Sequence, residues 1–269
     1  MYTINCMEYV AAKKNFLKDQ VSKFKGQPCL AVVQVGDDAA SNVYVKNKSK
    51  VCEEVGVCFV HVKLPEDISE EALIDQIGAL NWDRDVHGVI VQLPLPKHIN
   101  SESVTSRIRK EKDVDGFKHD SMFKPCTPKG IIDWLKYNQI SLAGKDVCVI
   151  GRSEIVGKPM VDLFEREHAT IAWCNSKTKD IKRYTKNADI IVSAIGKPNF
   201  FDDSYFSEGQ IVIDVGINRD ENGKLCGDVR EDVAKLVRFK TPVPNGVGRL
   251  TVCSLIENVV LAYLAQTIK

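Results

Sequence analysis

The sequence has almost no excess of charge of either sign. Among its 269 residues, 37 are Lys or Arg and 36 are Asp or Glu, so the formal net charge at pH 7 is +1. A charge of that size would not draw the whole chain to nucleic acid or to an acidic membrane. Any anion-binding site must therefore be local, formed by a few residues that the fold brings together.

We also expect no targeting or anchoring segment. The first residues, Met-Tyr-Thr-Ile-Asn, have neither the basic nor the apolar region of a signal peptide. No apolar stretch approaches the length of about 20 residues that crosses a bilayer. There is no repeat, low-complexity segment or proline-rich linker. These features predict a cytoplasmic protein.

The nine cysteines include no Cys-x-x-Cys pair. Several lie in apolar runs, as Cys148 does in Val-Cys-Val-Ile. This usage is typical of reduced, buried thiols, and the spacing argues against a structural zinc site. We expect no bound metal.

Short apolar runs alternate with helical patterns along the whole chain. Strands are predicted at residues 29–35, 58–64, 87–93, 146–150, 170–173, 188–194 and 211–215. Helices are predicted at residues 41–54, from 69 to about 80, and at 128–137, 159–168 and 251–267. This rhythm predicts an α/β fold of mostly parallel sheets with helices on both faces. The length favours two lobes, which we expect to divide within residues 116–123.

A strand, a glycine turn and a helix start follow one another at residues 147–159. Gly151 would allow a nucleotide to approach closely, and Gly157 would allow tight packing of the turn. Arg152 and Ser153 add a charge and a hydroxyl. An ordinary strand-to-helix turn would also fit this spacing, which differs from Gly-x-Gly-x-x-Gly. Glycines after two later strands, at 196 and 216, favour a dinucleotide domain.

Four polar residues in the first half form a second candidate group. Tyr44 and Lys48 are four residues apart on a predicted helix and therefore share one face. Gln92 ends an apolar strand before a proline-rich turn, and Asp115 lies in the turn Lys-Asp-Val-Asp-Gly. Taken one at a time, these residues fit a surface helix, an edge position and ordinary turn chemistry.

Six segments together resemble, in order, the methylenetetrahydrofolate dehydrogenase/methenyltetrahydrofolate cyclohydrolase family. They lie at residues 41–48, 91–95, 112–116, 125–128, 151–159 and 241–248, so the resemblance covers nearly the whole chain. It implies a folate-binding catalytic lobe at residues 1–118, completed by a C-terminal helix at about 251–269. It also implies a Rossmann-type NADP-binding lobe at residues 119–250, a folate cleft between the lobes, and a homodimer without nucleic-acid or membrane partners.

The resemblance also assigns roles to individual residues. Lys48 would be the catalytic lysine, held by Gln92, and Tyr44 would pack on the aminobenzoate part of folate. Asp115 would bind the pterin edge, and Pro242 and Gly246 would line the folate side of the cleft. The cofactor would be bound by Gly151, Arg152, Ser153, Ile155, Ser176 and Ile217.

Three positions depart from the family's usual pattern. Asn245 replaces a glycine, and because Asn tolerates a left-handed backbone we expect it to keep the turn. Arg249 adds a charge beside it. Asn175 stands where the family often has histidine. The segment from Cys174 to Lys177 contains no carboxylate, and with Arg152 and Ser176 it favours NADP over NAD.

The implied activity is oxidation of 5,10-methylenetetrahydrofolate to the methenyl compound, followed by hydrolysis to 10-formyltetrahydrofolate. Hydride removal requires mainly positioning, whereas hydrolysis requires proton transfers that Lys48 would supply. Three alternatives stay open. They are a monofunctional methylenetetrahydrofolate dehydrogenase, another dinucleotide-dependent oxidoreductase such as one acting on a hydroxy acid, and a nucleotide-binding regulatory or scaffold protein without turnover.

Overall fold

The structure is a computed structural model that describes residues 4–267. It contains two compact units. The first unit consists of Ala11–Cys126 and Val252–Lys269, and the second of Met1–Val10 and Thr127–Thr251. The chain thus passes between the two units after Val10, after Cys126 and after Thr251. The division of the lobes within residues 116–123 stays a prediction.

The elements follow one another as strand and helix along most of the chain. In chain order they are α1 (Cys6–Val21), β1 (Cys29–Val35), α2 (Ala39–Val55), β2 (Cys58–Leu64), α3 (Glu70–Trp82), β3 (Gly88–Val91), α4 (Ser101–Thr105), α5 (Cys126–Tyr137), β4 (Asp146–Ile150), α6 (Gly157–Arg166), β5 (Thr170–Cys174), α7 (Lys182–Thr185), β6 (Ile190–Ser193), β7 (Ile211–Asp214), β8 (Asn218–Arg219), β9 (Leu225–Cys226), β10 (Phe239–Lys240) and α8 (Val247–Thr267). Short 3₁₀ turns lie at Asp203–Tyr205 and Glu231–Lys235.

The first unit contains a parallel three-stranded sheet with the order β2-β1-β3. Every residue of the central strand β1 is buried, as a continuous apolar run predicts for a strand covered on both faces. Alternate residues face opposite sides. Leu30 and Val32 pack with α2 and α8, whereas Ala31 and Val33 pack with α3 and α4. Helices therefore cover both faces, as predicted.

The second unit contains a parallel five-stranded sheet with the order β10-β7-β6-β4-β5. The chain runs from β4 outward to β5 and then returns to β6 on the other side of β4. In sheets of this kind, ligands bind at the carboxyl ends of the strands where the order reverses. That point lies between β4 and β6, and β4 is the strand that leads into Gly151. Strands β8 and β9 form a separate antiparallel hairpin.

The prediction that no segment has the length and composition of a membrane span is wrong for the helix α8. Its 21 residues include an 18-residue window with a mean hydropathy of 1.5, long and apolar enough to cross a bilayer. However, 61% of that window is buried inside the protein. Leu255, Ile256 and Val259 belong to the core that covers β1. The apolar composition of α8 is thus accounted for by packing in the first unit.

The helix α1 was not predicted from the sequence. Its buried residues Cys6, Tyr9, Val10 and Leu17 have helical spacing, but lysines and other polar residues separate them. Its apolar stripe is therefore narrow and hard to recognise without the core on which it packs. The predicted strand at residues 87–93 is also shorter in the structure, where it covers Gly88–Val91.

Candidate active site

Lys48 and Gln92 are joined by a hydrogen bond in the first unit. The helix α2 begins after Asp38, which accepts the Ser41 N–H at 2.7 Å, and ends at Gly56 with φ of +89°. These ends place Lys48 in the middle of the helix. Its Nζ donates to Oε1 of Gln92 at 3.0 Å. Tyr44 lies one turn earlier on α2, and both side chains are half-buried.

The orientation of the Gln92 amide is determined by the backbone. Gln92 follows β3 and is 9% exposed. Its Nε2 donates to the carbonyl oxygen of Leu93 at 2.7 Å. Because the amide nitrogen is used in this way, the amide oxygen faces the Lys48 amine. The Leu93–Pro94 peptide that follows is cis.

Two residues of the predicted acidic turn have structural roles. Lys112 is buried, and its Nζ donates to the carbonyl oxygens of Leu80 at 2.9 Å and Asp83 at 2.5 Å. Asp113 is also buried, and its Oδ2 accepts the Lys118 N–H at 3.0 Å. These contacts hold the turn and leave Asp115 as its candidate ligand-binding carboxylate.

The Asp115 carboxylate lies close enough to Lys48 for their charges to interact. Burial raises the pKa of Asp115, and the negative charge of Asp113 acts in the same direction. The positive charge of Lys48 and a hydrogen bond from the Cys126 thiol lower the pKa of Asp115. Asp115 thus combines partial burial with a neighbouring amine, as ligand-binding carboxylates often do.

Asn258 supports the turn that carries Asp115, and it was not found from the sequence. It lies on α8 and is 1% exposed. Its Nδ2 donates to the carbonyl oxygens of Val114 at 2.8 Å and Lys124 at 3.1 Å. A single asparagine inside an apolar helix was the only signal available, because its partners are more than 130 residues away in sequence.

The glycines of the predicted phosphate loop are required by backbone packing in the second unit. Gly151 has φ of +130°, and a Cβ there would lie 2.4 Å from the Ala194 carbonyl oxygen. A Cβ on Gly157 would lie 2.4 Å from the Gly151 carbonyl oxygen. The tight turn predicted for Gly157 is therefore present. Gly151 allows the loop to approach the end of β6 as well.

The loop between β4 and α6 has the chemistry of an anion site. Oγ of Ser153 accepts the N–H groups of Val156 and Gly157 at 3.2 Å each, so this hydroxyl supports the helix start. Within residues 4–267, the N–H groups of residues 152–155 donate to no other protein group, and these residues are exposed. Free backbone donors before a helix favour phosphate binding, so the residues present fit a dinucleotide.

Arg152 stacks on the side chain of Trp173. The guanidinium carbon lies 5.3 Å from the ring centroid, and Nε1 of Trp173 donates to the Gly151 carbonyl oxygen at 2.7 Å. Ile155 and Ile217, the two apolar residues expected to bind the cofactor, are 42% and 47% exposed. Their contact with the cofactor stays a prediction.

The turn after β5 is held by Asn175. Its Oδ1 accepts the Lys177 N–H at 2.9 Å, and its backbone N–H donates to Oγ1 of Thr178 at 3.0 Å. Ser176 and Lys177 are exposed at this turn. Asn175 is thus a turn residue, which leaves Ser176 and Lys177 as the side chains that a ligand could meet here.

The segment at residues 241–248 forms a tight turn before α8. Val243–Pro244 is a cis peptide, and Asn245 has φ of +76°, so the expected left-handed turn is present. A Cβ on Gly246 would lie 2.2 Å from the Pro242 carbonyl oxygen. Nη2 of Arg249 donates to Oδ1 of Asn245 at 3.3 Å. The folate contacts of Pro242 and Gly246 stay a prediction.

Two buried aspartates connect the loops at the carboxyl ends of β6 and β7, and neither was proposed from the sequence. Asp228 accepts hydrogen bonds from the Ile195 N–H at 2.8 Å, the Lys197 N–H at 3.0 Å and the Asn218 amide at 2.9 Å. Asp214 accepts the Val229 N–H at 3.0 Å, and burial raises its pKa to about 6. These carboxylates hold the loops that flank the predicted ligand crevice.

The predicted site residues thus fall into two groups. Tyr44, Lys48, Gln92 and Asp115 lie in the first unit, where a hydrogen bond joins Lys48 to Gln92 and Asp115 interacts with the charge of Lys48. The second unit carries Gly151, Arg152, Ser153, Ile155, Ser176, Ile217, Pro242 and Gly246.

Two family models match the chain and cover most of it. The catalytic domain of tetrahydrofolate dehydrogenase/cyclohydrolase matches residues 4–115, and the NAD(P)-binding domain of the same family matches residues 125–267. The bifunctional protein FolD of Anoxybacillus flavithermus is 48% identical over 98% of both chains.

Solved structures agree with these matches. The crystal structure of the bifunctional FolD methylenetetrahydrofolate dehydrogenase/cyclohydrolase from Campylobacter jejuni has a TM-score of 0.93 and 42% identity, covering 97% of this chain and 98% of that one. The Trypanosoma brucei enzyme, in complex with NADP and an inhibitor, has a TM-score of 0.92 and 31% identity over 100% of this chain and 99% of that one. This chain belongs to the tetrahydrofolate dehydrogenase/cyclohydrolase family.

Proposed function

We propose that the protein oxidises 5,10-methylenetetrahydrofolate to the 5,10-methenyl compound with NADP and then hydrolyses it to 10-formyltetrahydrofolate at the same site. The observation that carries this proposal is the amine of Lys48, held by Gln92 and near the Asp115 carboxylate. Family membership supports the pairing of the two reactions.

The oxidation step places few chemical demands on the chain. The methylene carbon lies between two nitrogens, and a nitrogen lone pair expels the hydride directly. When bound, NADP supplies the acceptor for that hydride. The residues of the first unit orient the folate, with Asp115 accepting N–H donors of the pterin and Tyr44 packing on the aminobenzoate ring. This step therefore depends mainly on position.

The hydrolysis step requires a base. Water adds to the methenyl carbon of the cation, and Lys48 in its amine form accepts a proton from that water. The bond from this carbon to N5 then breaks, and the hydroxyl proton is transferred to N5, which leaves the formyl group on N10. Gln92 holds Lys48 through both stages, because its amide oxygen accepts a hydrogen bond from either the amine or the ammonium form.

The second unit supplies the groups that would hold NADP. The free N–H groups of residues 152–155 would bind the diphosphate, and Arg152, Ser176 and Lys177 would bind the 2′-phosphate. Ile155 and Ile217 would contact the apolar parts of the cofactor. The absence of a carboxylate between Cys174 and Lys177 favours NADP, because NAD sites usually use an acidic residue for the ribose hydroxyls.

The assembly and location belong to the same proposal. The family implies a homodimer in the cytoplasm, with tetrahydrofolate derivatives as its ligands. A formal net charge of +1 gives no general attraction to nucleic acid or to acidic membranes.

The test measures two products separately. Purified protein is incubated with methylenetetrahydrofolate and each nicotinamide cofactor, and the methenyl and formyl products are followed in parallel. Formation of both, faster with NADP, is the expected result. If the methenyl compound forms but is hydrolysed no faster than it is without protein, the protein is a monofunctional dehydrogenase. Failure to form either product would contradict the proposal.

A further inference from the structure

The Trp173 side chain joins the phosphate loop to the neighbouring strand. Its indole N–H donates to the Gly151 carbonyl oxygen at 2.7 Å, which fixes the ring against the loop. The Arg152 guanidinium lies 5.3 Å from the ring centroid. The indole is nevertheless 38% exposed, although it is a large apolar group. An exposed indole with a fixed edge and a stacked arginine serves more readily as a support for that arginine than as core packing.

We propose that Trp173 is a positioning residue that sets cofactor specificity, by holding the Arg152 guanidinium as the receptor for the 2′-phosphate of NADP. This inference rests on the proposed NADP-dependent function.

Stacking leaves the guanidinium free to bind an anion. An indole ring carries no net charge and does not neutralise the guanidinium as a carboxylate would, so the N–H donors of Arg152 stay available for a phosphate. Within residues 4–267, no carboxylate forms an ion pair with Arg152, and the neighbouring Glu154 pairs with Lys158 at 3.1 Å. The Arg152 side chain is therefore held by Trp173 at an exposed loop, and no carboxylate of residues 4–267 neutralises its charge.

The position of Trp173 in the sheet indicates which phosphate this cation meets. Trp173 lies on β5, which pairs in parallel with β4 on the side away from β6. In doubly wound sheets the adenosine ribose lies at the carboxyl end of the strand that follows the phosphate loop. Ser176 and Lys177 are exposed in the turn just after β5. Trp173 on this strand would thus hold Arg152 near the ribose end of the crevice.

The first test measures binding without turnover. Calorimetry gives the Kd of 2′,5′-ADP and of 5′-AMP for the parent, Trp173→Leu and Trp173→Phe. The preference for 2′,5′-ADP over 5′-AMP, taken as the ratio of the two Kd values, should be about 2- to 5-fold lower in the leucine variant than in the parent. This is the size expected from an exposed cation–π contact. The phenylalanine variant keeps a ring but lacks the N–H, so it should lose less.

The chain offers a matched control. Trp82 is also exposed and has Arg109 stacked at 4.8 Å from its ring, but it lies on α3 in the first unit. Trp82→Leu should leave the preference for 2′,5′-ADP unchanged. A similar loss in this variant would show that removing any stacked indole has this effect, and would overturn the inference.

A double substitution tests whether Trp173 acts through Arg152. If it does, Trp173→Leu should not change the ratio of kcat/KM for NADP and NAD any further once Arg152→Ala is present. Independent effects of the two substitutions would overturn the inference. If Arg152→Ala lowers the ratio and both Trp173 variants leave it unchanged, the inference fails and the NADP assignment stands. A parent that binds 2′,5′-ADP no better than 5′-AMP contradicts both.

Discussion

Lys48 is positioned by a neighbour whose own orientation is determined by the backbone. The Gln92 amide donates to the Leu93 carbonyl oxygen at 2.7 Å and accepts from Lys48 Nζ at 3.0 Å. A glutamate at this position could not donate to that carbonyl, because a carboxylate only accepts. The amide therefore suits both contacts, and it places the amine without adding a charge.

Lys48→Met is expected to abolish hydrolysis of methenyltetrahydrofolate, because the variant lacks the base while keeping a side chain of similar length. Hydride transfer should decrease less, since it depends on position. The rates of both steps are measured with methylene- and methenyltetrahydrofolate as separate substrates. Lys46→Met, on an exposed position of the same helix, is the control and should behave as the parent does. Hydrolysis by Lys48→Met at the parent rate would rule out this role.

Asp115→Asn is expected to weaken folate binding and both activities, since both use the same bound ring. The substitution replaces an acceptor by an amide that also carries two donors, and an unsatisfied buried donor costs about 1–3 kcal/mol. Folate affinity is measured by direct titration. Asp120→Asn, exposed in the same region, is the control. Unchanged affinity in Asp115→Asn would remove Asp115 from the binding site.

At the scale of the elements, the phosphate loop depends on two backbones that nearly touch. Residue 151 is a glycine because a Cβ there would meet the Ala194 carbonyl oxygen. Residue 157 is a glycine because the Gly151 carbonyl oxygen lies where a Cβ of residue 157 would be. The same carbonyl accepts the indole N–H of Trp173. One backbone group thus links β4, the start of α6 and the side chain from β5.

Gly157→Ala is expected to destabilise the protein by about 1–3 kcal/mol, because its Cβ meets backbone that cannot rotate away. It should also weaken NADP binding through displacement of the loop. Urea unfolding and an NADP titration measure the two effects. Gly78→Ala on α3 is a matched control, since a Cβ there has nothing within 4 Å, and it should stabilise by about 0.5–1 kcal/mol. Parent-like stability in Gly157→Ala would contradict the close contact.

The buried carboxylate of Asp214, at the end of β7, makes the stability of the protein depend on pH. Burial raises the folded-state pKa of Asp214 to about 6 from an ordinary value of 3.8. The folded state therefore binds this proton more tightly than the unfolded chain. The resulting contribution to stability is complete below about pH 4 and is lost as the pH rises through 6. It amounts to about 3 kcal/mol.

Asp214→Asn removes this titration while keeping the shape of the side chain. The unfolding free energy of the parent, relative to that of the variant, should fall by up to about 3 kcal/mol between pH 4 and pH 7. Urea unfolding at several pH values measures the difference. Asp203→Asn, at an exposed position, should follow the parent throughout. Parallel curves for the parent and Asp214→Asn would show that Asp214 does not titrate in this range.

At the scale of the whole molecule, the proposed homodimer rests on family membership alone. Light scattering at working concentration should give about 60 kDa, because a homodimer has twice the chain mass of 30.0 kDa. The measurement is repeated over a tenfold dilution to detect dissociation. A mass of one chain at all concentrations would contradict the proposed dimer while leaving both activities possible.

Much of the fold and part of the site could be predicted from local sequence. Strands β1, β2 and β4 begin and end where their apolar runs do, because each run is bounded by residues that break a strand. The helical spacing of Tyr44 and Lys48, the left-handed Gly56 and the left-handed Asn245 follow equally from neighbouring residues. Six ordered segments identified the family, since their combination is far more specific than any one of them.

The tertiary structure decided which side chains meet. Local sequence chemistry did not distinguish Asp113, which supports the turn, from Asp115, whose carboxylate interacts with the charge of Lys48, because both are acids beside one glycine. Only the family resemblance singled out Asp115. The sequence did not indicate that Asp228 joins the loops after β6 and β7, or that Trp173 supports Arg152. These contacts link residues that strand pairing brings together from distant parts of the chain. Local periodicity determines the elements, whereas the register between strands determines the neighbours at their ends.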